Sequence, residues 1–329
     1  MAALEPLLKL PGMVGELARV EEALRASVVT SDPFLTEMTT PLVAAGGKRW
    51  RPALAVAAGG CAPSGLPVSD DVVLGGVAVE LVHLGSLYHD DVMDEAATRR
   101  GVESVNARWG NLRAILAGDF LLAKASEIAA SLGTEVAGLL AATIGAMCEG
   151  QVRELQTAFD AGRDEQQYLA AIAGKTAALA ASACRIGALV AELPRPHVEA
   201  LTTFGQRFGM AFQIVDDILD VVATEEELGK PAGNDLAEGV YTLPVIRALA
   251  GAGNGAELAG YLGRPLSRPE VEQARALVQA DGAIDSALVV AGRYCDEAVA
   301  TLGGLEGPGV DKLAAAATSL LDLVPARRP

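Results

Sequence analysis

The acidic pattern D-D-x-x-D occurs at residues 90–94 and again at residues 216–220. Its carboxylates have the spacing that metal binding on a helix would need. On a helix, residues four apart share a face, so Asp90 and Asp94 can hold one ion together. Carboxylate oxygens on a rigid helix suit Mg²⁺, which keeps several waters and binds through carboxylates and substrate phosphates. A single motif of this kind is usually a solvated helix end, but two in matching contexts favour a shared metal site.

Both motifs end apolar helical runs, at residues 72–87 and 204–215. Carboxylates at the C-terminal end of a helix lie at the unfavourable end of its dipole, so a positive charge should compensate them. If the two patches face each other, they can hold a cluster of Mg²⁺ ions that binds and polarises a diphosphate.

Cations occur where a diphosphate site would need them. A glycine turn precedes three cations in GGKRWR, residues 46–51, and Arg99 and Arg100 follow the first acidic motif. Arginine matches phosphate oxygens with a fork of donors. Residues 175–176, Lys-Thr, are predicted to open a helix whose free N–H groups favour anions. His83 lies about two turns before Asp90 near the same face, and is either a core histidine or a substrate contact.

The elements that position these residues are predicted to be helices. Strand alternation and Asn-Gly hairpin signals are absent, so we expect an all-α, single-domain helical bundle over residues 1–329. The candidate helices lie near residues 4–27, 33–45, 51–60, 69–96, 111–132, 134–160, 164–173, 176–192, 196–222, 242–250, 268–280, 284–302 and 309–323.

Composition excludes several classes of function. The net charge of −16 disfavours nucleic-acid binding and anionic membrane surfaces. The four scattered cysteines form no C-x-x-C pair, and this pattern indicates a reduced, cytoplasmic protein. No signal peptide is apparent, and no uninterrupted apolar stretch reaches about 18 residues, so we expect no transmembrane segment.

Seven short stretches, in order across about residues 45–245, form a specific combination. They are GGKRWRP (46–52), ELVHLGSLYHDDVMDEAATRRG (80–101), GDF (118–120), EGQVREL (149–155), KT (175–176), FQIVDDILD (212–220) and GKPAGNDLAEGVYTLP (229–244). Together they resemble the trans-isoprenyl diphosphate synthase, or polyprenyl synthetase, family, and most of all its long-chain all-trans members. The resemblance implies a helical bundle around a central active-site cavity, and a homodimer.

The resemblance also implies a reaction and the residues that serve it. An allylic diphosphate ionises, isopentenyl diphosphate attacks it head-to-tail, and a proton is lost to give a trans double bond. Metal binding, with three Mg²⁺ ions when substrate is bound, would fall to Asp90, Asp91, Asp94, Asp216, Asp217 and Asp220. Isopentenyl diphosphate would be held by Lys48, Arg51, His83 and Arg100, with Arg49 nearby. The allylic substrate would contact Arg99, Lys175, Thr176, Gln213 and Lys230.

One position departs from the family pattern. Members often carry G-K-x-T-L-P after the second acidic motif, whereas this chain has Val240 in place of the lysine. One cationic contact to the allylic diphosphate is therefore missing or replaced. We expect weaker ground-state binding rather than loss of activity.

Product length is predicted from the helix that precedes the first acidic motif. In this family a bulky residue four or five positions before the first Asp closes the pocket early, but here those positions are Ser86 and Gly85. With Val82 they begin a stripe of small residues that continues to Gly75, about 22 Å from Asp90 along the helix. We expect a product of about C30–C50, used for quinone side chains, and Phe at position 85 or 86 should shorten it to about C15–C20.

Three alternatives stay open at this point. The product would be C20–C25 if a residue from another helix plugs the tunnel. A terpene cyclase needs an acidic motif but no second diphosphate site, and the cations at 46–51 and 99–100 argue against it. A non-catalytic synthase subunit would be expected to lose one acidic motif, and both are intact.

Overall fold

Helices form nearly all of the ordered elements. The structure, a computed structural model, describes residues 5–228, 231–251, 253–280 and 282–325. The helices are α1 (Glu5–Leu8), α2 (Met13–Ser27), α3 (Pro33–Ala44), α4 (Trp50–Gly59), α5 (Asp70–Met93), α6 (Val105–Trp109), α7 (Asn111–Ser131), α8 (Thr134–Gln156), α9 (Glu165–Ile172), α10 (Ala178–Val190), α11 (Arg195–Val222), α12 (Glu225–Leu228), α13 (Asn234–Ala237), α14 (Leu243–Ala250), α15 (Gly255–Ala259), α16 (Arg268–Ala280), α17 (Ala283–Thr301) and α18 (Pro308–Thr318). The all-α prediction is confirmed.

Helix α5, which carries the first acidic motif, is buried on almost every side. The Ser69 hydroxyl caps it by accepting the Val72 N–H, and two acidic residues in the first turn complement its dipole. Between residues 72 and 87 its side chains are apolar or small around the whole circumference, apart from Glu80 and His83, as expected for the central helix of a bundle. It packs against α2, α4, α7 and α10, so its C-terminal acidic turn is held rigidly by the core.

Small residues set the spacing between α10 and its neighbours α4 and α11. A Cβ added to Gly187 in α10 would lie 2.0 Å from the Ala55 carbonyl oxygen in α4. A Cβ added to Gly205 in α11 would lie 2.5 Å from the Ala180 carbonyl oxygen in α10. These close backbone contacts place α11, with the second acidic motif, in the same core as α5.

The prediction that Lys175 and Thr176 open a helix is wrong. Helices α9 and α10 are joined by a π-helical turn, Ala173–Ala177, so both residues lie inside one continuous helix. Gly174 does not break it, because the alanine-rich sequence that follows sustains the helix and α8 packs tightly against the turn. A Cβ on Gly174 would lie 2.5 Å from the Ala146 carbonyl oxygen. The π turn offers no free helix N-terminus to an anion.

A short antiparallel hairpin follows the first acidic motif, although no strand is predicted there. Strand β1 (Thr98–Arg99) pairs with β2 (Val102–Glu103) across a two-residue turn. The turn residues, Arg100 and Gly101, both have positive φ (53° and 78°), as a type I′ turn requires. Two-residue strands are too short for an alternation pattern to reveal.

The N-terminal helix predicted over residues 4–27 is divided into α1 and α2. The division falls at Gly12, which has a positive φ of 92°.

Two helical segments are long and apolar enough to cross a membrane by length and composition. They are α5 and the continuous helix Glu165–Val190, and 72% and 67% of their apolar windows are buried inside the bundle. Core helices of globular proteins have the same character, so this observation gives little support to a membrane span.

The close approach of α10 to α4 generates a stability prediction. Gly187→Ala should lower the free energy of unfolding by about 1–3 kcal/mol, because the added methyl group overlaps backbone in α4. Gly138→Ala in α8 is the control: no atom lies within 4 Å of its added Cβ, so it should be neutral or stabilising. Denaturant unfolding of the two variants measures the difference, and equal stabilities would contradict the packing.

Candidate active site

The first acidic motif lies at the C-terminal end of α5 and is partly neutralised by the hairpin. Asp91 is buried and accepts a hydrogen bond of 2.5 Å from Arg99 Nε, whose guanidinium also lies 3.9 Å from Asp94. Asp90 is half-buried and lines a cavity. Burial raises the pKa of Asp90 to about 6, the Asp94 charge adds to this effect, and Lys175 and Arg99 oppose it.

The second motif, at the end of α11, is bound into the core. Asp217 is buried and accepts hydrogen bonds from the Tyr168 hydroxyl at 2.5 Å and from Gln213 Nε2 at 2.8 Å. Burial nevertheless raises the pKa of Asp217 to about 7. Asp220 Oδ2 accepts the backbone N–H of Asp235 and so anchors the following loop. Asp216 is exposed at the surface of the site.

Lys175, on the π turn, links the two motifs. It lines the cavity that contains Asp90 and also a smaller cavity that contains Asp217, and its ammonium group pairs with Glu154. Thr176 donates to Gln213 Oε1 at 2.7 Å, so these two predicted substrate contacts also position Asp217. Lys230, the last cation predicted to contact the allylic substrate, lies outside the described residues.

The donor set suits a divalent cation that substrate helps to bind. Within the described ranges, no three histidine, cysteine or carboxylate groups converge as a ligand cluster for a single ion. Burial raises the pKa of Asp90 and of Asp217, so keeping both carboxylates ionised has a free-energy cost that a bound cation would reduce. Mg²⁺ commonly takes one or two carboxylates and completes its octahedron with waters and phosphate oxygens, which fits these residues.

A second group of cations surrounds His83, about two helical turns before Asp90. Arg100 donates to the Gly46 carbonyl, and its Nη2 lies 3.4 Å from His83 Nε2. A Cβ on Gly47 would lie 2.8 Å from Arg100 Nη1, so this glycine makes room for the guanidinium. Burial, together with Arg51 and Arg100, lowers the pKa of His83 well below its usual value and keeps the ring neutral.

Arg51 is aimed into the same cavity, whereas Arg49 is not. Arg51 stacks on Trp50 at 4.3 Å, burial lowers its pKa to about 10, and its Nε has no partner among the described atoms. Arg49 is buried and pairs with Glu21 and, at 2.8 Å, with Glu80. Its role is therefore to fix the loop before α4, and the neighbouring Lys48 is exposed.

An apolar cavity of about 400 Å³ adjoins Asp90 and Lys175. Val82 and Ser86 line it, as predicted, together with side chains from α7 and α8, among them Leu122, Ile144 and Met147. The position predicted for Gly85 is wrong. Gly85 faces α7, where an added Cβ would lie 3.1 Å from both the Gly118 carbonyl oxygen and Leu122, so Phe at this position would disrupt packing.

The stripe of small residues does not continue as one tunnel to Gly75. A Cβ at Gly75 would lie 2.6 Å from an Ile186 methyl group, because α10 packs against this part of α5. Helix periodicity indicates which residues share a face, but it does not indicate which neighbouring helix covers that face.

Two buried residues of the site were not predicted. Tyr168 holds Asp217, and Arg163 lies in the smaller cavity near it. Neither belongs to a charged motif, and their hydrogen bonds reach far along the chain, from Tyr168 to Asp217 and from Arg163 to Tyr241. The one local signal is the capping box that Asp164 forms with Gln167, since it places Tyr168 at a fixed point in the first turns of α9.

The geometry defines a class of protein: an all-α enzyme with two acidic helix ends, flanking cations and an apolar pocket. Residues 32–278 match the polyprenyl synthetase family, and the chain belongs to that family of prenyltransferases. Nonaprenyl diphosphate synthase of Mycobacterium tuberculosis is 39% identical over 302 residues, which cover 91% of this chain and 90% of the relative. Heptaprenyl diphosphate synthase component 2 of Geobacillus stearothermophilus is 40% identical over 291 residues, which cover 88% of this chain and 90% of the relative.

A solved structure extends the similarity to the fold. The polyprenyl synthase of Caulobacter crescentus, crystallised with calcium and isoprenyl diphosphate, has a TM-score of 0.90 and 33% identity, with 97% of each chain covered. The calcium in that crystal supports use of a divalent metal by this family.

The raised pKa of Asp90 predicts an opposition between stability and activity. In the metal-free protein, the Asp90 carboxyl group binds a proton more tightly in the folded state than in the unfolded state. Protonation of Asp90 therefore stabilises the fold at low pH, and this stabilisation is lost as the pH rises from 3.8 to about 6. Asp90→Asn should therefore raise the metal-free Tm at pH 7.5 by about 2–4 °C, with no gain below pH 4. Its turnover should fall by roughly 10²–10⁵.

The matched control is Asp71→Asn, in the first turn of the same helix. That carboxylate is exposed and lies at the favourable end of the dipole, so its loss should lower stability slightly and leave turnover unchanged. A metal-free Asp90→Asn protein less stable than wild type at pH 7.5 would refute the prediction.

Proposed function

We propose that this chain is a Mg²⁺-dependent synthase of a long-chain all-trans polyprenyl diphosphate of about C30–C50, used for quinone side chains. The observation that carries the proposal is the convergence of Asp90, on α5, and Asp217, on α11, on cavities that share Lys175. The substrates are isopentenyl diphosphate and an allylic prenyl diphosphate. The similarity to nonaprenyl and heptaprenyl diphosphate synthases supports the long product.

The two diphosphates are assigned to different groups of cations. Isopentenyl diphosphate is assigned to Arg51, Arg100 and the neutral His83, with Lys48 at the rim. The allylic diphosphate is assigned to Arg99, Lys175, Thr176, Gln213 and Lys230, beside the carboxylates. A neutral His83 can donate a hydrogen bond through Nδ1 while Nε2 faces Arg100, and the unpaired Nε of Arg51 is available to an anion.

The chain's own residues then favour ionisation and exclude water. Three bound Mg²⁺ ions, held by the two acidic motifs, would stabilise the charge that grows on the departing diphosphate. Lys175 and Arg99 add fixed positive charge at the same end of the cavity. Val82, Leu122 and Ile144 form an apolar wall that shields the allylic cation from water. The released diphosphate accepts the proton, so no side chain is needed as a general base.

We also propose a homodimer in the cytoplasm. Large apolar side chains are exposed in the first two turns of α7, where Leu112, Ile115 and Leu116 are 41–72% exposed. A cluster of this kind indicates a protein interface. All four cysteines are free thiols, which suits a reducing compartment.

The test is incubation of the purified chain with Mg²⁺, labelled isopentenyl diphosphate and a short allylic primer. Elongated all-trans products near C30–C50 support the proposal. A hydrocarbon product would indicate a cyclase. No turnover by the chain alone, with turnover restored by a second subunit, would indicate one component of a heteromeric synthase, as in the name of the Geobacillus relative.

Arg100→Ala should raise the KM for isopentenyl diphosphate by about ten- to a hundredfold, and that for the allylic primer far less, because a charge-assisted contact is lost. Arg108→Ala is the control, since its guanidinium is half-exposed, pairs with Glu37 and stacks on the Trp109 ring. Equal effects on the two KM values would mean that the arginines do not divide the substrates as proposed.

Ser86→Phe should shorten the main product to about C15–C20, because the ring would fill the cavity one turn below Asp90. The Ser86 hydroxyl donates a hydrogen bond to the carbonyl oxygen of His83, three residues earlier. The exposed Ser131, at the end of α7, makes the same kind of bond to the carbonyl oxygen of Ile128. Ser131→Phe is therefore a matched control and should leave the product unchanged. Chromatography of the products decides: an unaltered length in Ser86→Phe would exclude this cavity as the product channel.

A further inference from the structure

Arg163 is a buried arginine whose guanidinium lies 5.6 Å from the centre of the Tyr168 ring but leaves two nitrogens without a hydrogen-bond partner among the described atoms. It lies in the loop between α8 and α9 and is 4% exposed. Nη1 donates to the Tyr241 carbonyl oxygen at 3.2 Å, but Nε and Nη2 have no hydrogen-bond partner among the described atoms. Buried donors are almost always satisfied, so an exception of this kind marks a group that awaits a ligand.

The carboxylates that face Arg163 are already engaged. Glu154, from α8, pairs with Lys175, and Asp217, from α11, is held by Tyr168 and Gln213. Asp235, from α13, also has an interaction of its own. Arg163 forms no ion pair with any of them that the structure describes. Its two open donors therefore point to an anion from outside the chain.

The position of Arg163 identifies the anion's place in the reaction. It lines the cavity of about 90 Å³ that also contains Lys175, Gln213 and Asp217, and Val240 borders the same space. Lys175 continues from this cavity into the apolar one that receives the prenyl chain. A diphosphate whose hydrocarbon tail fills the larger cavity would place its charged end beside Arg163.

We propose that Arg163 binds the allylic diphosphate and supplies the cationic contact that Val240 cannot make. Its Nη1 donates to the carbonyl oxygen of Tyr241, the residue after Val240. The guanidinium therefore lies beside the segment in which the family pattern has a lysine. Arginine has five N–H donors in a fixed fork, which leaves Nε and Nη2 available to phosphate oxygens. The assignment rests on the proposed function and adds a substrate-binding residue to it.

The experiment compares Arg163→Gln, Val240→Lys and the double variant with wild type. Arg163→Gln should raise the KM for the allylic primer, and the inhibition constant of inorganic diphosphate with Mg²⁺, by about ten- to a hundredfold. The KM for isopentenyl diphosphate should change less than threefold. Val240→Lys should have little effect alone but should restore primer binding in the Arg163→Gln background, as expected for two residues that serve one contact.

Arg185→Gln is the control for loss of an arginine, because this residue lies ten positions beyond Lys175 and pairs with Glu135 and Glu199. If Arg163→Gln does not fold, Arg163→Lys replaces it, with a smaller rise in primer KM that Val240→Lys also reverses. A lower Tm with unchanged primer KM would overturn the proposal, as would a defect that Val240→Lys fails to repair. Failure of wild type to elongate any primer would instead refute the proposed function.

Discussion

The structure depends on the electrostatic cost of placing carboxylates at the C-terminal ends of two core helices. Asp90 and Asp217 are both less acidic than a free carboxyl group because burial disfavours their charge, and the helix dipoles increase the cost. Arg99 and Lys175 reduce this cost but do not remove it. The remaining negative charge destabilises the unliganded protein. A divalent cation bound together with a diphosphate would remove this destabilisation, so its removal would contribute to the free energy of substrate binding.

Packing makes this electrostatic arrangement possible. Glycine and alanine contacts bring α4, α10 and α11 close together. Because α5 packs in the same core, the acidic ends of α5 and α11 lie in the same part of the bundle. The π turn inserts Lys175 between them, and the β1–β2 hairpin directs Arg99 towards the carboxylates and Arg100 towards His83. Three local irregularities of the backbone, at Gly47, at residues 100–101 and in the π turn, therefore position most of the cations.

Much of this could be predicted from the sequence, since long amphipathic or apolar runs determine helices, and a repeated acidic motif indicates a site. The bounds of α5 and α11 agree with prediction to within three residues, and Val82 and Ser86 line the cavity beside Asp90. The hairpin, the π turn and the orientation of Gly85 could not be predicted, because each depends on which distant helix packs there. Arg163 and Tyr168 were missed for the same reason: their function comes from contacts formed across the bundle.

The most direct test is calorimetric titration of the wild-type protein with Mg²⁺, with inorganic diphosphate, and with each in the presence of the other. Because no carboxylate cluster in the described chain forms a complete site for one ion, Mg²⁺ and diphosphate should complete each other's sites. Diphosphate should bind about 5- to 150-fold more tightly with saturating Mg²⁺, the usual range of coupling between two ligands. Tight binding of Mg²⁺ alone, or diphosphate binding that is independent of Mg²⁺, would contradict a metal site that substrate completes.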